Sequence, residues 1–134
     1  MTAKEYLSQA FYIDLHINAK IEQKEELREL ALKTTTHITG MPGSPNRNTD
    51  RLENTVVKIV DLENEINDEI DRLIDLKADI SRRIQEVDDN DCRLLLELRY
   101  LSFKRWKDIA EQMHCSLRNV HKIHEKALEK ICLP

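Results

Sequence analysis

Three features of the sequence predict an all-α fold. Charged residues make up 34% of the 134-residue chain, aromatic residues make up 4%, and only two residues are glycine. Apolar residues recur at the spacing of helix faces, whereas the alternation typical of half-buried strands is scarce. The predicted architecture is a long antiparallel helical hairpin, coiled-coil-like in character, followed by a small C-terminal helical unit.

The first predicted helix covers residues 3–33 and ends before a segment rich in turn-forming residues. Its apolar residues fall roughly along one face: Tyr6, Ala10, Ile13, Ile17, Ile21, Leu27 and Ala31. Both glycines and two of the three prolines lie within 40–45. Because glycine and proline are the strongest local breakers of regular structure, we predict a loop over residues 34–48.

The second predicted helix covers residues 49–87 and carries a heptad repeat. Apolar residues occupy every seventh position, at Leu52, Ile59, Ile66, Leu73, Ile80 and Val87. The positions between them are Val56, Glu63, Ile70, Lys77 and Ile84, so two charges interrupt the seam. Further apolar residues widen the seam beyond what contact with one helix buries, which predicts a second copy of the chain as another neighbour. These residues are Val60, Leu62, Ile74 and Leu76.

The sequence therefore predicts a homodimer held by the second helix. The predicted contact residues are Leu52, Val56, Ile59, Ile66, Ile70, Leu73, Ile80 and Ile84. The alternative is a monomer in which the C-terminal unit folds back onto the hairpin. The polar run at 88–91 can cap a new helix, so it predicts a boundary between a hairpin region, 1–88, and a C-terminal domain, 89–134.

The C-terminal domain has the pattern of a leading helix followed by a helix-turn-helix. A small residue, Ala110, lets the second helix cross the first closely, and Ser116 is placed to cap the second helix. The predicted turn is 113–115. The predicted apolar contacts between the two helices come from Ile109, Met113, Cys115, Val120 and Ile123.

Polar residues on the second motif helix have the chemistry of DNA recognition. Arginine pairs with guanine and asparagine with adenine through two hydrogen bonds each, while lysine suits phosphate groups. The predicted DNA-binding residues on this helix are Ser116, Arg118, Asn119, His121, Lys122 and Lys126, and those near the start of the preceding helix are Lys104, Arg105 and Lys107.

The charge distribution agrees with that prediction. Residues 91–134 contain nine Lys and Arg against six Asp and Glu, a net charge of +3, whereas residues 1–90 contain twelve against nineteen, a net charge of −7. A basic module on an acidic chain is typical of nucleic-acid binding.

The run LLLELRYLSFKRWKDIAEQMHCSLRNVHKIHEKALEKI, residues 94–131, resembles the fourth conserved region of bacterial sigma factors, which reads the upstream promoter element and touches RNA polymerase. The matching residues are Leu98, Arg99, Tyr100, Ile109, Ala110, Ser116, Val120, His124, Ala127 and Leu128. The resemblance implies that Arg118, Asn119, His121 and Lys122 face DNA. The chain departs from that family at His114, where the family usually has glycine in the turn.

Nearly the whole chain, including MTAKEYLSQAFYIDLHIN and MPGSPNRN, also resembles a family of small phage and prophage proteins of Gram-positive bacteria that are regarded as sigma-like or late-gene regulators. That resemblance implies a phage context and a transcriptional role. Residues 1–90 lack the aromatic-rich, basic helices expected of a promoter-melting domain, which favours an activator or accessory factor over an autonomous sigma factor. Two other classes stay open: a small-terminase-like subunit for DNA packaging, and a helical protein–protein adaptor.

Enzymatic and metal-binding functions have weaker support in the sequence. Glu22, Glu25 and Glu26 could meet Glu65, Asp68 and Glu69, as in helical pyrophosphohydrolases that hold magnesium, but such spacings are common on solvated helices. His114, Cys115, His121 and His124 could bind zinc, yet Cys115 and His121 already have other predicted places. We therefore expect no catalytic activity and no cofactor.

The remaining expectations concern the compartment. The sequence contains no apolar run long enough to span a bilayer and no signal peptide. The three cysteines have neither metal-ligand nor disulfide-framework spacing. We expect a cytoplasmic protein of a bacterial host cell.

Overall fold

The computed structural model describes residues 1–38 and 45–134, and within these it contains five α-helices and no strand. The helices are α1 (Ala3–Ile38), α2 (Pro45–Gln85), α3 (Asn90–Leu96), α4 (Trp106–Gln112) and α5 (Leu117–Lys130). A π-helical turn, Glu97–Leu101, continues α3. The all-α prediction is confirmed.

The predicted loop at 34–48 is wrong at both ends, because α1 extends through Ile38 and α2 begins at Pro45. The hydroxyl of Thr34 donates to the carbonyl of Leu30, and that of Thr35 to the carbonyl of Ala31, so both side chains are satisfied inside the helix. Proline is favoured in the first turn, because the N–H it lacks would have no intrahelical acceptor there. The rest of the predicted loop, 39–44, lies outside the described residues.

The chain divides into two compact units. The hairpin unit is Leu15–Asp71, and the core unit combines Met1–Asp14 with Arg72–Pro134. This division differs from the predicted boundary at residue 88, because the first turns of α1 and the last turns of α2 bury their apolar side chains with the C-terminal helices.

In the hairpin unit, α1 and α2 run antiparallel. Lys20 of α1 lies 3.9 Å from Glu65 and 4.0 Å from Glu69, whereas Arg28, further along α1, lies 3.4 Å from Glu63. Partners on α2 therefore come earlier in the chain as α1 advances. Apolar residues between the helices include Ile17 and Ile66, which are 5% and 6% exposed. The predicted hairpin is present in this unit.

In the core unit, one cluster joins the N-terminal turns to the C-terminal helices. Its buried members are Tyr6, Leu7, Ala10, Ile80, Ile84, Val87, Cys92, Leu96, Tyr100, Ala127 and Ile131. The side chain of Asp79 accepts hydrogen bonds from the Tyr6 hydroxyl and from the guanidinium groups of Arg82 and Arg83. These bonds fix the start of α1 against the end of α2.

The predicted cap at 88–91 is confirmed. Asp89 has an extended backbone, and its carboxylate accepts from the backbone N–H of Asp91 at 3.0 Å and of Cys92 at 3.2 Å. The bond from Cys92, followed by the bond from Lys126, lowers the pKa of Asp89 to about 2. None of the helices in the described part of the chain combines the length and apolar character that crossing a bilayer requires.

Candidate nucleic-acid interface

The turn between α4 and α5 follows a regular helix-ending pattern. The N–H of Cys115 donates to the carbonyl of Ala110 at 3.0 Å, and the N–H of His114 donates to the carbonyl of Glu111 at 3.3 Å. This pair of bonds defines a Schellman motif, which requires a left-handed residue at its centre. His114 is that residue, with φ of 55°. The departure from glycine noted in the sequence therefore falls at the one position of this turn that glycine suits best.

Helix α5 begins where the sequence predicts. The backbone of Ser116 is extended, and its hydroxyl accepts from the N–H of Asn119 at 3.2 Å. Val120, His124 and Ala127 form the buried side of the helix. The cap and this buried stripe fix which side of α5 faces outward.

The contacts between α4 and α5 involve the predicted residues. Ile109 and Val120 are fully buried in one cluster, together with Ala110. Met113, Cys115 and Ile123 are partly buried against the same cluster, which also contains Leu95 and Leu98 from the preceding helical segment. The apolar core of this small unit was therefore visible in the sequence.

The outward side of α5 carries Arg118, Asn119, His121 and Lys122, all of which are exposed. Leu117, at the first position of the helix, is 47% exposed, and the sequence analysis did not single it out. Leu117 could have been identified in the sequence because it directly follows the capping residue Ser116. The structure therefore brings one apolar and four polar side chains to the surface of the first two turns.

The predicted basic residues divide into paired and unpaired groups. Lys126 lies 3.1 Å from Asp89, and Arg105 lies 3.1 Å from Asp108. Within residues 1–38 and 45–134, no ion pair is formed by Arg118, Lys122 or Lys107. Lys126 therefore has its charge partly compensated within the chain, and Lys122 is better placed to act on an external anion.

Lys104 sits differently from the other predicted basic residues, because its backbone is part of the turn before α4. Its carbonyl accepts from Arg99 at 2.9 Å, and its N–H donates to the carbonyl of Leu98 at 3.0 Å. The residue is half-buried. Its neighbour Phe103 has φ of 56°, a conformation that costs a bulky residue on the order of 1–3 kcal/mol.

Aromatic contacts connect this segment to α5. The ring of Trp106 lies 5.0 Å from that of His121 and 4.6 Å from that of His124, and the guanidinium of Arg99 stacks over the indole at 4.3 Å. Such cation–π stacking stabilises the indole position. Trp106 thus packs against the leading segment and also contacts the ring of His121 at the surface.

His124 is the buried polar residue of α5. Burial lowers its pKa to about 4, and burial raises the pKa of Tyr100 to about 12. The phenol therefore keeps its proton at neutral pH and donates it to Nε2 of His124 across 2.6 Å. His124 is therefore a neutral core residue. Among the residues that match sigma factors, it packs in the interior and does not face outward.

Two of the acidic residues that were considered as magnesium ligands lie beside basic residues. Glu65 and Glu25 lie near Lys20 and Arg28 respectively, within the hairpin unit. Among the described residues, no group of three or more His, Cys, Asp and Glu side chains is arranged to hold a metal ion.

Comparison of the chain with protein-family models, curated proteins and solved structures gives no match. The likeness to sigma region 4 and to the phage family accordingly depends on the residues quoted for it.

Proposed function

We propose that the protein is a sequence-specific DNA-binding transcriptional regulator that reads the major groove with α5. The observation that carries this proposal is the exposure of Arg118, Asn119, His121 and Lys122 on the first two turns of a helix whose other side is buried. A recognition helix offers its N-terminal residues to base edges in this way. The residues quoted for the sigma resemblance support the same orientation.

The exposed residues have complementary chemistry toward bases. Arg118 suits the two acceptors of guanine, and Asn119 suits the acceptor and donor of adenine. Leu117 adds an apolar group of the kind that contacts the thymine methyl. The site we infer therefore contains at least one guanine and one adenine or thymine under the start of α5.

Basic residues flanking α5 supply affinity for phosphates. Lys122 and Lys107 are exposed and without ion-pair partners in the described part of the chain, so their charges are available to DNA. Lys104 and Arg105 lie just before α4. Lys126 contributes less in this proposal than the sequence suggests, because Asp89 already pairs with it.

We further propose that a second copy of the chain binds the outer face of α2 in the hairpin unit. Val56, Val60 and Ile70 are 46%, 47% and 37% exposed, and their spacing places them on one side of the helix. Two copies would bring two recognition helices into one assembly that can bind two half-sites. Ile66, four residues before Ile70, lies beside this stripe but is 6% exposed, so we leave it out of the proposed interface.

The test is selection of bound sequences from random duplex DNA, with wild-type protein and an Arg118→Ala variant. We expect wild type to enrich a defined site and Arg118→Ala to lose about 1–3 kcal/mol of preference at one base pair, since a bidentate contact to guanine is removed. Lys58→Ala is the matched control, because Lys58 is exposed in the hairpin unit. Unchanged specificity in Arg118→Ala would contradict the docking.

Salt dependence separates base contacts from phosphate contacts. Lys122→Ala should weaken binding to all sequences alike and reduce the slope of log K against log salt by about 1, because one phosphate contact is lost. Lys126→Ala should change that slope less.

The mass of the protein–DNA complex distinguishes the candidate functions. A dimer supports transcriptional regulation, whereas a ring of many copies indicates DNA packaging. Absence of any salt-dependent binding indicates an adaptor.

A further inference from the structure

A small cavity in the core unit lies between the start of α1 and the segment that leads into α4. Its volume is about 90 Å³. Two cationic side chains line it, Lys4 and Arg99, together with the hydroxyl-bearing residues Ser8 and Tyr100. Three aromatic rings complete the wall: Phe11, Phe103 and Trp106. The lining residues include none from the hairpin unit and none of the proposed DNA-reading residues of α5.

The charge of the cavity is uncompensated. No acidic side chain is among its lining residues, and within the described chain neither Lys4 nor Arg99 forms an ion pair. Arg99 is held in place by its bond to the carbonyl of Lys104 and by its stacking on Trp106. Because that bond uses one of its five N–H donors, the guanidinium retains donors for an anion. A fixed arginine and an exposed lysine together favour a carboxylate.

The aromatic wall specifies the rest of the ligand. The rings of Phe11 and Phe103 meet edge to face at 5.7 Å, an arrangement that leaves apolar surface around the cavity. Its volume of about 90 Å³ is smaller than the roughly 150 Å³ of an apolar protein cavity that accepts benzene, but this one opens to solvent. It therefore has room for one small planar ring that keeps one edge in solvent.

The backbone at Phe103 is consistent with a binding role. A bulky residue at φ of 56° is uncommon, and residues held in such conformations cluster at ligand-binding sites. The ammonium of Lys77 lies 4.5 Å from the centre of the Phe103 ring and donates to the carbonyl of Leu101 at 3.0 Å. These contacts hold the strained residue so that its ring stays in the cavity wall.

We propose that this cavity is a binding site for a small aromatic carboxylate. The carboxylate is held by Lys4 and Arg99, and the ring packs among Phe11, Phe103 and Trp106. This assignment is independent of DNA binding, since it requires none of the exposed residues of α5.

Intrinsic fluorescence gives a direct test, because Trp106 is the single tryptophan of the chain and lines the cavity. The protein is titrated with benzoate at constant ionic strength, and in parallel with acetate and with benzyl alcohol. We expect a saturable change with benzoate at millimolar concentration, as befits a ligand of so few atoms. Acetate lacks the ring and benzyl alcohol lacks the charge, so each should bind about tenfold more weakly.

Variants test the assigned groups. Lys4→Gln should weaken benzoate about tenfold, because a charge-assisted hydrogen bond is removed, while Lys33→Gln on the same helix should leave it unchanged. A rise in the unfolding temperature with benzoate, absent with acetate, provides a second measure that does not depend on fluorescence. The proposal is overturned if benzoate gives no saturable response, if acetate or benzyl alcohol binds as well as benzoate, or if Lys4→Gln binds as wild type does.

Discussion

Two non-glycine residues, Phe103 and His114, have a left-handed backbone among the residues that the structure describes. They end the two helical segments that precede α4 and α5 respectively. For L-amino acids other than glycine this conformation is unfavourable, and histidine tolerates it better than bulky or branched residues do. The helix reversal before α5 therefore depends on a residue that is acceptable there but not optimal.

Replacing His114 by glycine should stabilise the fold. Glycine adopts φ of 55° without steric cost, so we expect His114→Gly to raise the free energy of unfolding by about 0.5–1 kcal/mol. His16→Gly is the control, because His16 is exposed within α1, where glycine should instead destabilise by a few tenths of a kcal/mol or more, on the order of helix-propensity differences. Urea denaturation measures both. A loss of stability in His114→Gly would show that the histidine side chain contributes more than its backbone costs.

The Tyr100–His124 pair makes stability depend on pH. The pKa of His124 lies at about 4 in the folded chain, below its ordinary value of 6.5, because burial disfavours the charged ring. Above pH 6.5 both states are neutral at this residue and its full contribution is present. Between pH 6.5 and about 4 the unfolded chain binds a proton that the folded chain does not, so stability should decrease as pH falls.

The measurement is unfolding free energy against pH for wild type and two variants. His124→Gln retains an acceptor for the Tyr100 hydroxyl but cannot titrate, so its stability curve should be flatter than that of wild type across this window. His121→Gln, at the exposed neighbour that also contacts Trp106, should keep the wild-type slope. Parallel curves for wild type and His124→Gln would contradict the assignment.

At the scale of single residues, features that depend on local backbone geometry could be predicted from the sequence. Ser116 as a cap, Ala110 in a close contact and His114 in a left-handed turn all follow from local backbone requirements. The positive φ of Phe103 could not be predicted, because it depends on a π-helical turn and on Lys77, which is distant in the sequence. The cavity residues were equally hidden, since Lys4 and Arg99 come together only through the fold.

At the scale of elements, α2 carries both buried and exposed apolar residues along its heptad repeat. The predicted dimer residues do not all lie on one accessible surface: Ile66, Ile80 and Ile84 are buried within the chain, while Val56 and Ile70 are exposed. Leu52, Ile59 and Leu73 are partly buried. A heptad repeat identifies positions that prefer apolar contact, but it does not distinguish an intramolecular partner from a second copy. That distinction required the packing of α1.

The buried and the exposed apolar positions predict different mutational effects. Ile70→Asp should leave helical content unchanged but convert a dimer to a monomer in sedimentation equilibrium, because it places a charge on the exposed face. Ile66→Asp, one turn earlier at a buried position, should lower the free energy of unfolding by several kcal/mol, since an unpaired charge would enter the interior. If wild type and Ile70→Asp have the same mass, the exposed face is not the interface.

Helix ends were the least predictable part of the elements. The predicted loop was too long, because composition alone marked residues 34–48 as unfavourable for helix, whereas threonine side chains bonded to the preceding turn and a proline in the first turn are compatible with it. Composition identifies where helices are weakened; hydrogen bonding decides where they stop.

At the scale of the whole molecule, the all-α class and the order of the helices followed from the sequence, and the grouping of those helices did not. Periodicity placed the first turns of α1 in a hairpin region, but Tyr6, Leu7 and Ala10 belong to the same cluster as Ala127 and Ile131. Contacts between residues so far apart in sequence leave no local pattern, so only the folded chain reveals them.

This grouping has a consequence for the order in which the protein is made. Leu7 and Ala10 leave the ribosome well before Ala127 and Ile131, which belong to the same buried cluster. Until then, their apolar surface stays accessible to solvent, to chaperones and to other nascent chains. The core unit can therefore close only after Ile131 has been synthesised.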